Sequence, residues 1–119
     1  MIIYHGWADP QIPSGSSVGY YTRVIDAMGG AKKTQESVRL FMVPGMNHCG
    51  GGAGPGTFDK VAAIDQWVES GVKPLSLTGS HVTGGVTDRT RPLCAYPATA
   101  HYVGSGSTDD AKNFRCEAR

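Results

Sequence analysis

Val38-Arg39-Leu40-Phe41-Met42-Val43-Pro44-Gly45 is the stretch on which the fold turns. Its apolar, β-favouring run predicts a strand, and the Pro-Gly pair that follows closes it. Upstream, Val18, Tyr21, Ile25 and Met28 recur at three- and four-residue steps, the spacing of one helix face; Ser14 stands where a cap would, and Gly29-Gly30 ends the pattern. Before that helix, Ile2-Ile3-Tyr4 predicts a short buried strand that delivers a loop, Trp7 to Pro13, at its C-terminal end. Strand, helix, strand implies a parallel crossover and an α/β class.

Downstream of Gly45 the chain is loop, because glycine dominates through Gly56 and carries a high entropic cost in regular elements. A second helix begins near Thr57, which is placed to cap it; Val61, Ile64, Trp67 and Val68 mark one face, and Gly71 with Pro74 ends it. From Leu75 the periodicity fades into short threonine- and valine-rich pieces and a glycine pair. This predicts an irregular tail over residues 75–119 attached to an α/β core piece over residues 1–74.

The chain has 119 residues, a formal net charge of +1 and 39% hydrophobic residues, which is enough for one small domain and too little for two. No basic run is interleaved with aromatics, so a nucleic-acid partner is not expected. The longest apolar stretches fall far short of the roughly 20 residues of a membrane-spanning helix, so no membrane partner is expected either. Met1 opens directly on the first strand without a signal-like region, which points to a truncated reading frame, with any export signal encoded upstream. Cys49, Cys94 and Cys116 make an odd number, so at least one thiol has no partner within the chain.

Two polar residues sit just past predicted parallel strands, where open α/β sheets gather their catalytic groups: Asp9 and His48. A histidine used as a base needs a carboxylate to fix its tautomer and stabilise its charged form, and Asp9 on the neighbouring loop is able to supply one. Asp9-Pro10 is equally a turn dipeptide. Burial of His48 in a core is the weaker alternative, since Asn47, Cys49 and the glycines favour an open loop.

Other readings carry less. Gly15-Ser16-Ser17-Val18-Gly19 satisfies the G-x-S-x-G pattern of a nucleophile elbow, but Pro10 to Pro13 replace the strand an elbow needs and Val18 belongs to the helix face. His48, Cys49, His5 and Asp9 lack the repeated ligand spacing of a metal site, so no metal is expected, and the glycine loop lacks the lysine of a P-loop. His81 and His101 fall in the tail with no evident partner.

The blocks His5-Gly6-Trp7-Ala8-Asp9-Pro10-Gln11-Ile12-Pro13 and Pro44-Gly45-Met46-Asn47-His48-Cys49-Gly50-Gly51-Gly52 resemble the tannase and feruloyl esterase family. Trp67-Val68, Arg91-Pro92-Leu93-Cys94 and Asn113-Phe114-Arg115-Cys116 extend the resemblance along nearly the whole chain. It implies the C-terminal part of an α/β-hydrolase fold in a secreted or periplasmic enzyme, with Asp9 as triad acid, His48 as base and the serine in a missing N-terminal part. It also implies small-molecule esters of aromatic acids as substrates, no cofactor, a tail disulfide between Cys94 and Cys116, and a bond from Cys49 to an upstream cysteine beside the serine. Closing the loop between Cys94 and Cys116 would stabilise by about 3 kcal/mol in the chain-entropy model. The reading that competes with it is a noncatalytic remnant or accessory module that keeps the core's shape without turnover.

Overall fold

In the computed structural model, which describes residues 1–118, strand β1 (Ile2–Gly6) lies parallel to β2 (Arg39–Val43), with Ile2 opposite Arg39 and Gly6 opposite Val43. Helix α1 (Ser14–Met28) and the single turn α2 (Ala31–Thr34) make the crossover between them. Helix α3 (Lys60–Ser70) follows the glycine-rich loop. The architecture is mixed α and β.

Strand β2 is buried at every position. Its alternating side chains feed two cores. Phe41 and Val43 pack with Met46, Leu77 and Leu93, supported by Tyr4, Phe58 and Ala63, whereas Leu40 and Met42 pack with Tyr21 and Val38, supported by Val18, Ile25 and Tyr96. An apolar run without polar alternation has this physical meaning: neither face of the strand meets water. Arg39 is also buried, satisfied by bonds from its Nε to the Gln35 carbonyl (3.1 Å) and from a terminal nitrogen to the Pro74 carbonyl (2.7 Å). Its guanidinium stands over the Trp67 ring.

Both helix stops are left-handed glycines, Gly29 at φ 82° and Gly71 at φ 68°. The expected starts differ. Helix α1 begins at Ser14 itself after Pro13, whose ring presets a helix-compatible φ, and Ser14 makes no capping bond. Asp59 caps α3 by accepting from the Ala62 amide at 2.8 Å, while Thr57 pairs with Ser80 of the following strand through its backbone. The inward side of α3 is Ala63, Ile64 and Trp67. Val61 and Val68 lie roughly 100° around the helix from Trp67 and are exposed, contrary to the face read from sequence.

The tail is not irregular. Strands β3 (Ser76–Thr83) and β4 (Val86–Cys94) form an antiparallel hairpin, and β5 (Thr99–Tyr102) pairs with β6 (Phe114–Glu117). Gly84 and Gly85 both take positive φ, 57° and 82°, the combination a two-residue type I′ hairpin turn requires. Past β4, Ala95 bridges Phe41 and the Tyr96 amide donates to the Leu40 carbonyl at 2.8 Å, so this segment covers the second edge of β2. Cys94 and Cys116 form a disulfide that joins the two hairpins. His81 and His101 also have partners: Asp88 meets His81 at 2.6 Å, and Thr99 Oγ1 lies 2.9 Å from His101.

Because Phe41 has no solvent exposure and fills the centre of the larger core, Phe41→Ala should cost about 3–5 kcal/mol of unfolding free energy and Phe41→Leu distinctly less. Denaturant titration of the protein carrying this chain is the measurement.

Candidate active site

The loops after β1 and β2 meet because one residue lacks a side chain. The Trp7 amide donates to the Val43 carbonyl at 2.9 Å and the Ala8 amide to the Met46 carbonyl at 3.2 Å, so the chain leaving β1 runs against the chain leaving β2. A Cβ on Gly6 would stand 2.0 Å from the Met46 carbonyl oxygen and 2.6 Å from that of Asn47. No other residue permits this approach.

The glycine loop beyond doubles back on itself. Asn47 donates from its amide to the Gly51 carbonyl at 3.2 Å, and Gly54 to the Gly45 carbonyl at 3.1 Å. A Cβ on Gly54 would lie 1.7 Å from the Pro44 carbonyl oxygen, so this closure too depends on backbone packed against backbone. The loop holds His48 and Cys49 over the Asp9 loop.

Asp9 and His48 are thereby brought together, with His48 Nδ1 2.8 Å from Asp9 Oδ2. The Asp9 side chain is 2% exposed and that of His48 41%, so the carboxylate is sealed beneath an imidazole that remains open. Asp9 Oδ1 accepts from the backbone amides of Gln11 (2.8 Å) and Ile12 (2.9 Å), the turn that Asp9-Pro10 suggested. Desolvation opposes the charge, but the amides of Ile12 and Gln11 and the imidazoles of His48 and His5 outweigh it and hold the carboxyl well below its ordinary value. Asp9 is an acceptor throughout the physiological range. His48 Nδ1 must donate to it, which leaves Nε2 with a free lone pair, the arrangement of a general base.

One contact has no counterpart in the sequence reading. His5 Nε2 lies 3.0 Å from the same Asp9 Oδ2, and Ser17 Oγ lies 2.7 Å from His5 Nδ1. His5 entered the sequence reading only as a metal-ligand candidate and Ser17 only as an elbow candidate. The His5-to-Asp9 spacing spans a strand end and a turn, where no periodicity signals contact. Ser17 sits within α1, whereas Cys49, at φ 58°, is the one non-glycine residue with positive φ among those described. The strained elbow that exposes a nucleophile is therefore absent at Ser17.

Tyr4, Ile12, Met46 and Cys49 surround this group and line a cavity of about 160 Å³. Cys49 is exposed and its thiol is free. Cys94, bonded to Cys116, belongs instead to a separate cavity of about 420 Å³ bordered by Trp7, Tyr96 and Pro97.

The profile of the family described as Tannase and feruloyl esterase matches residues 1–117. The mono(2-hydroxyethyl) terephthalate hydrolase of Piscinibacter sakaiensis is 44% identical over 99% of this chain and 20% of its own length. Feruloyl esterase C of Talaromyces stipitatus is 34% identical over 98% of the chain and 25% of its own. The crystal structure of feruloyl esterase B from Aspergillus oryzae superposes with a TM-score of 0.88 at 32% identity, over 98% of this chain and 26% of that one. Tannin acyl hydrolase from Aspergillus niger superposes at 0.81 with 30% identity, over 99% and 22%. The chain thus spans a fifth to about a quarter of the length of these relatives.

Gly6→Ala should push the two loops apart and break the 2.8 Å contact between Asp9 and His48, seen as loss of the His48 Nδ1–H proton resonance. The depressed Asp9 pKa fixes a second expectation. Its stabilising effect is complete above the ordinary value of 3.8 and is lost as pH falls toward the folded-state value. The stability gap between the parent and Asp9→Asn should therefore narrow on acidification from about pH 5 to about pH 2, measured by chemical unfolding.

Proposed function

The chain belongs to the tannase and feruloyl esterase family, and from that premise we propose that it supplies the acid and base of a serine ester hydrolase of α/β-hydrolase fold. In this reading His48 accepts the proton of an upstream serine as it attacks the ester carbonyl. It then passes that proton to the departing alcohol, while Asp9 holds the imidazolium. Water enters next, and the same base activates it against the acyl-enzyme. The observation that carries the reading is the contact of His48 Nδ1 with the sealed, ionised Asp9 carboxylate at 2.8 Å.

The nucleophile, the oxyanion hole and most of the substrate pocket belong to sequence before Met1. The exposed Cys49 thiol beside His48 is assigned to a disulfide with a cysteine next to that serine, tying the two loops together. Esters of aromatic acids are the proposed substrates, in keeping with relatives named as feruloyl esterases and a terephthalate ester hydrolase. The Cys94–Cys116 disulfide supports an oxidising, secreted or periplasmic location.

Two measurements test this. The coding region upstream should contain a serine flanked by glycines and preceded by cysteine; an intact upstream sequence without one sinks the assignment in favour of a noncatalytic remnant. In the whole protein, Asp9→Asn should lower kcat on a chromogenic ferulate ester about ten-thousandfold, with KM little changed, and His48→Gln at least as much.

A further inference from the structure

Asp9 Oδ2 receives two imidazoles, and the triad reading uses only one. His48 Nδ1 approaches it at 2.8 Å and His5 Nε2 at 3.0 Å. Behind His5, Ser17 Oγ lies 2.7 Å from Nδ1. The protons along this chain follow from its fixed end. An ionised carboxylate has none to give, so His5 Nε2 must carry a hydrogen and donate it. A neutral imidazole protonated at Nε2 has its acceptor at Nδ1, so the Ser17 hydroxyl is the donor there. The order is Ser17 O–H to His5 Nδ1, then His5 Nε2–H to Asp9.

We propose that His5, oriented by the Ser17 hydroxyl, is a positioning residue that pins Asp9 Oδ2 beneath His48; the proposal rests on the triad reading above. Three features of the fold support a built arrangement. The His5 side chain is only 10% exposed and meets the same carboxylate oxygen as the open His48. His5 is on β1 and Ser17 on α1, so the bond between them locks the crossover helix to the strand that delivers the acid. Oδ1 is fixed by two backbone amides, so without His5 the one hydrogen-bond partner left on Oδ2 among the described residues is the exposed His48. A second donor on Oδ2 also lowers its basicity, which keeps the shared proton on His48 Nδ1 and the base lone pair on Nε2. Ser17 thereby has a role as an orienting hydroxyl, which its place inside a helix allows and that of a nucleophile does not.

The test uses the whole protein with ¹⁵N-labelled histidine rings, and His5→Gln and His48→Gln to assign them. Near neutral pH, His5 should show a protonated Nε2 and an unprotonated, hydrogen-bonded Nδ1. Ser17→Ala should move Nδ1 toward the position of a free acceptor nitrogen and shift the His48 Nδ1–H resonance. A proton on His5 Nδ1, or a His48 resonance unmoved by Ser17→Ala and His5→Leu alike, overturns the proposal. Kinetics on the ferulate ester supply a second arm. His5→Leu should lower kcat about tenfold to a hundredfold at nearly constant KM, the range expected for one charge-assisted bond. In His5→Gln the amide nitrogen takes the place of Nε2–H and should restore most of the rate. Equal losses in the Leu and Gln variants would make His5 a packing residue and overturn the proposal. So would a Ser17→Ala variant without any turnover, which would make Ser17 the nucleophile. If Asp9→Asn abolishes hydrolysis while His5→Leu leaves it intact, this inference falls and the triad reading stands. If Asp9→Asn and His48→Gln both leave hydrolysis intact, the triad reading is what fails, and this inference with it.

Discussion

The backbone of Gly6 against the carbonyls of Met46 and Asn47 is the constraint from which the site follows. Parallel pairing of β1 and β2 brings two strand ends side by side, but ordinary side chains there would hold the outgoing loops apart. With none at Gly6, the amides of Trp7 and Ala8 reach across to Val43 and Met46, and a carboxylate and an imidazole separated by 39 residues in sequence come within one hydrogen bond. The closure is made by backbone groups, which cannot rotate away as side chains do. It also leaves these amides and carbonyls paired where unpaired ones would be costly.

Rigidity at that junction is inherited from β2. A strand buried on both faces has nowhere to move: Phe41 and Val43 are held by α3 and the first hairpin, Leu40 and Met42 by α1. The segment through Ala95 and Tyr96 covers its remaining edge, and the disulfide at Cys94 joins that segment to the second hairpin. The tail therefore bears on the Asp9–His48 pair at one remove. It fixes the strand whose end leads to His48, although none of its described side chains bonds to the Asp9 group.

The parts legible in the sequence were those with a local physical signal. The unbroken apolar run through Val43, the three- and four-residue recurrence through Ile25 and the left-handed glycines at 29 and 71 each constrain structure by themselves. The Gly84-Gly85 pair carries a signal of the same quality, a type I′ turn between Thr- and Val-rich flanks, which the fading periodicity of the tail masks. Helix starts were misplaced where two residues competed for one role: Pro13 before Ser14, and Asp59 against Thr57, where a charged acceptor beside the first turn prevails. The contacts of His5 with Asp9 and Ser17 had no local signal. They exist because α1 packs across the end of β1, a fact of tertiary geometry.

What this chain holds by itself is a pair with an internal division of labour. Asp9 is sealed and meets four donors on two oxygens; His48 is open and meets one partner. The energetic logic runs from the inside outward. Backbone amides that cannot leave set the charge on Asp9, that charge sets the tautomer of His48, and the tautomer turns the basic nitrogen away from the carboxylate. None of these steps draws on a residue outside residues 1–118. In the proposed triad, the sequence that supplies the nucleophile would therefore meet an imidazole whose tautomer is already set by Asp9, and its task would reduce to placing a hydroxyl within reach of His48 Nε2.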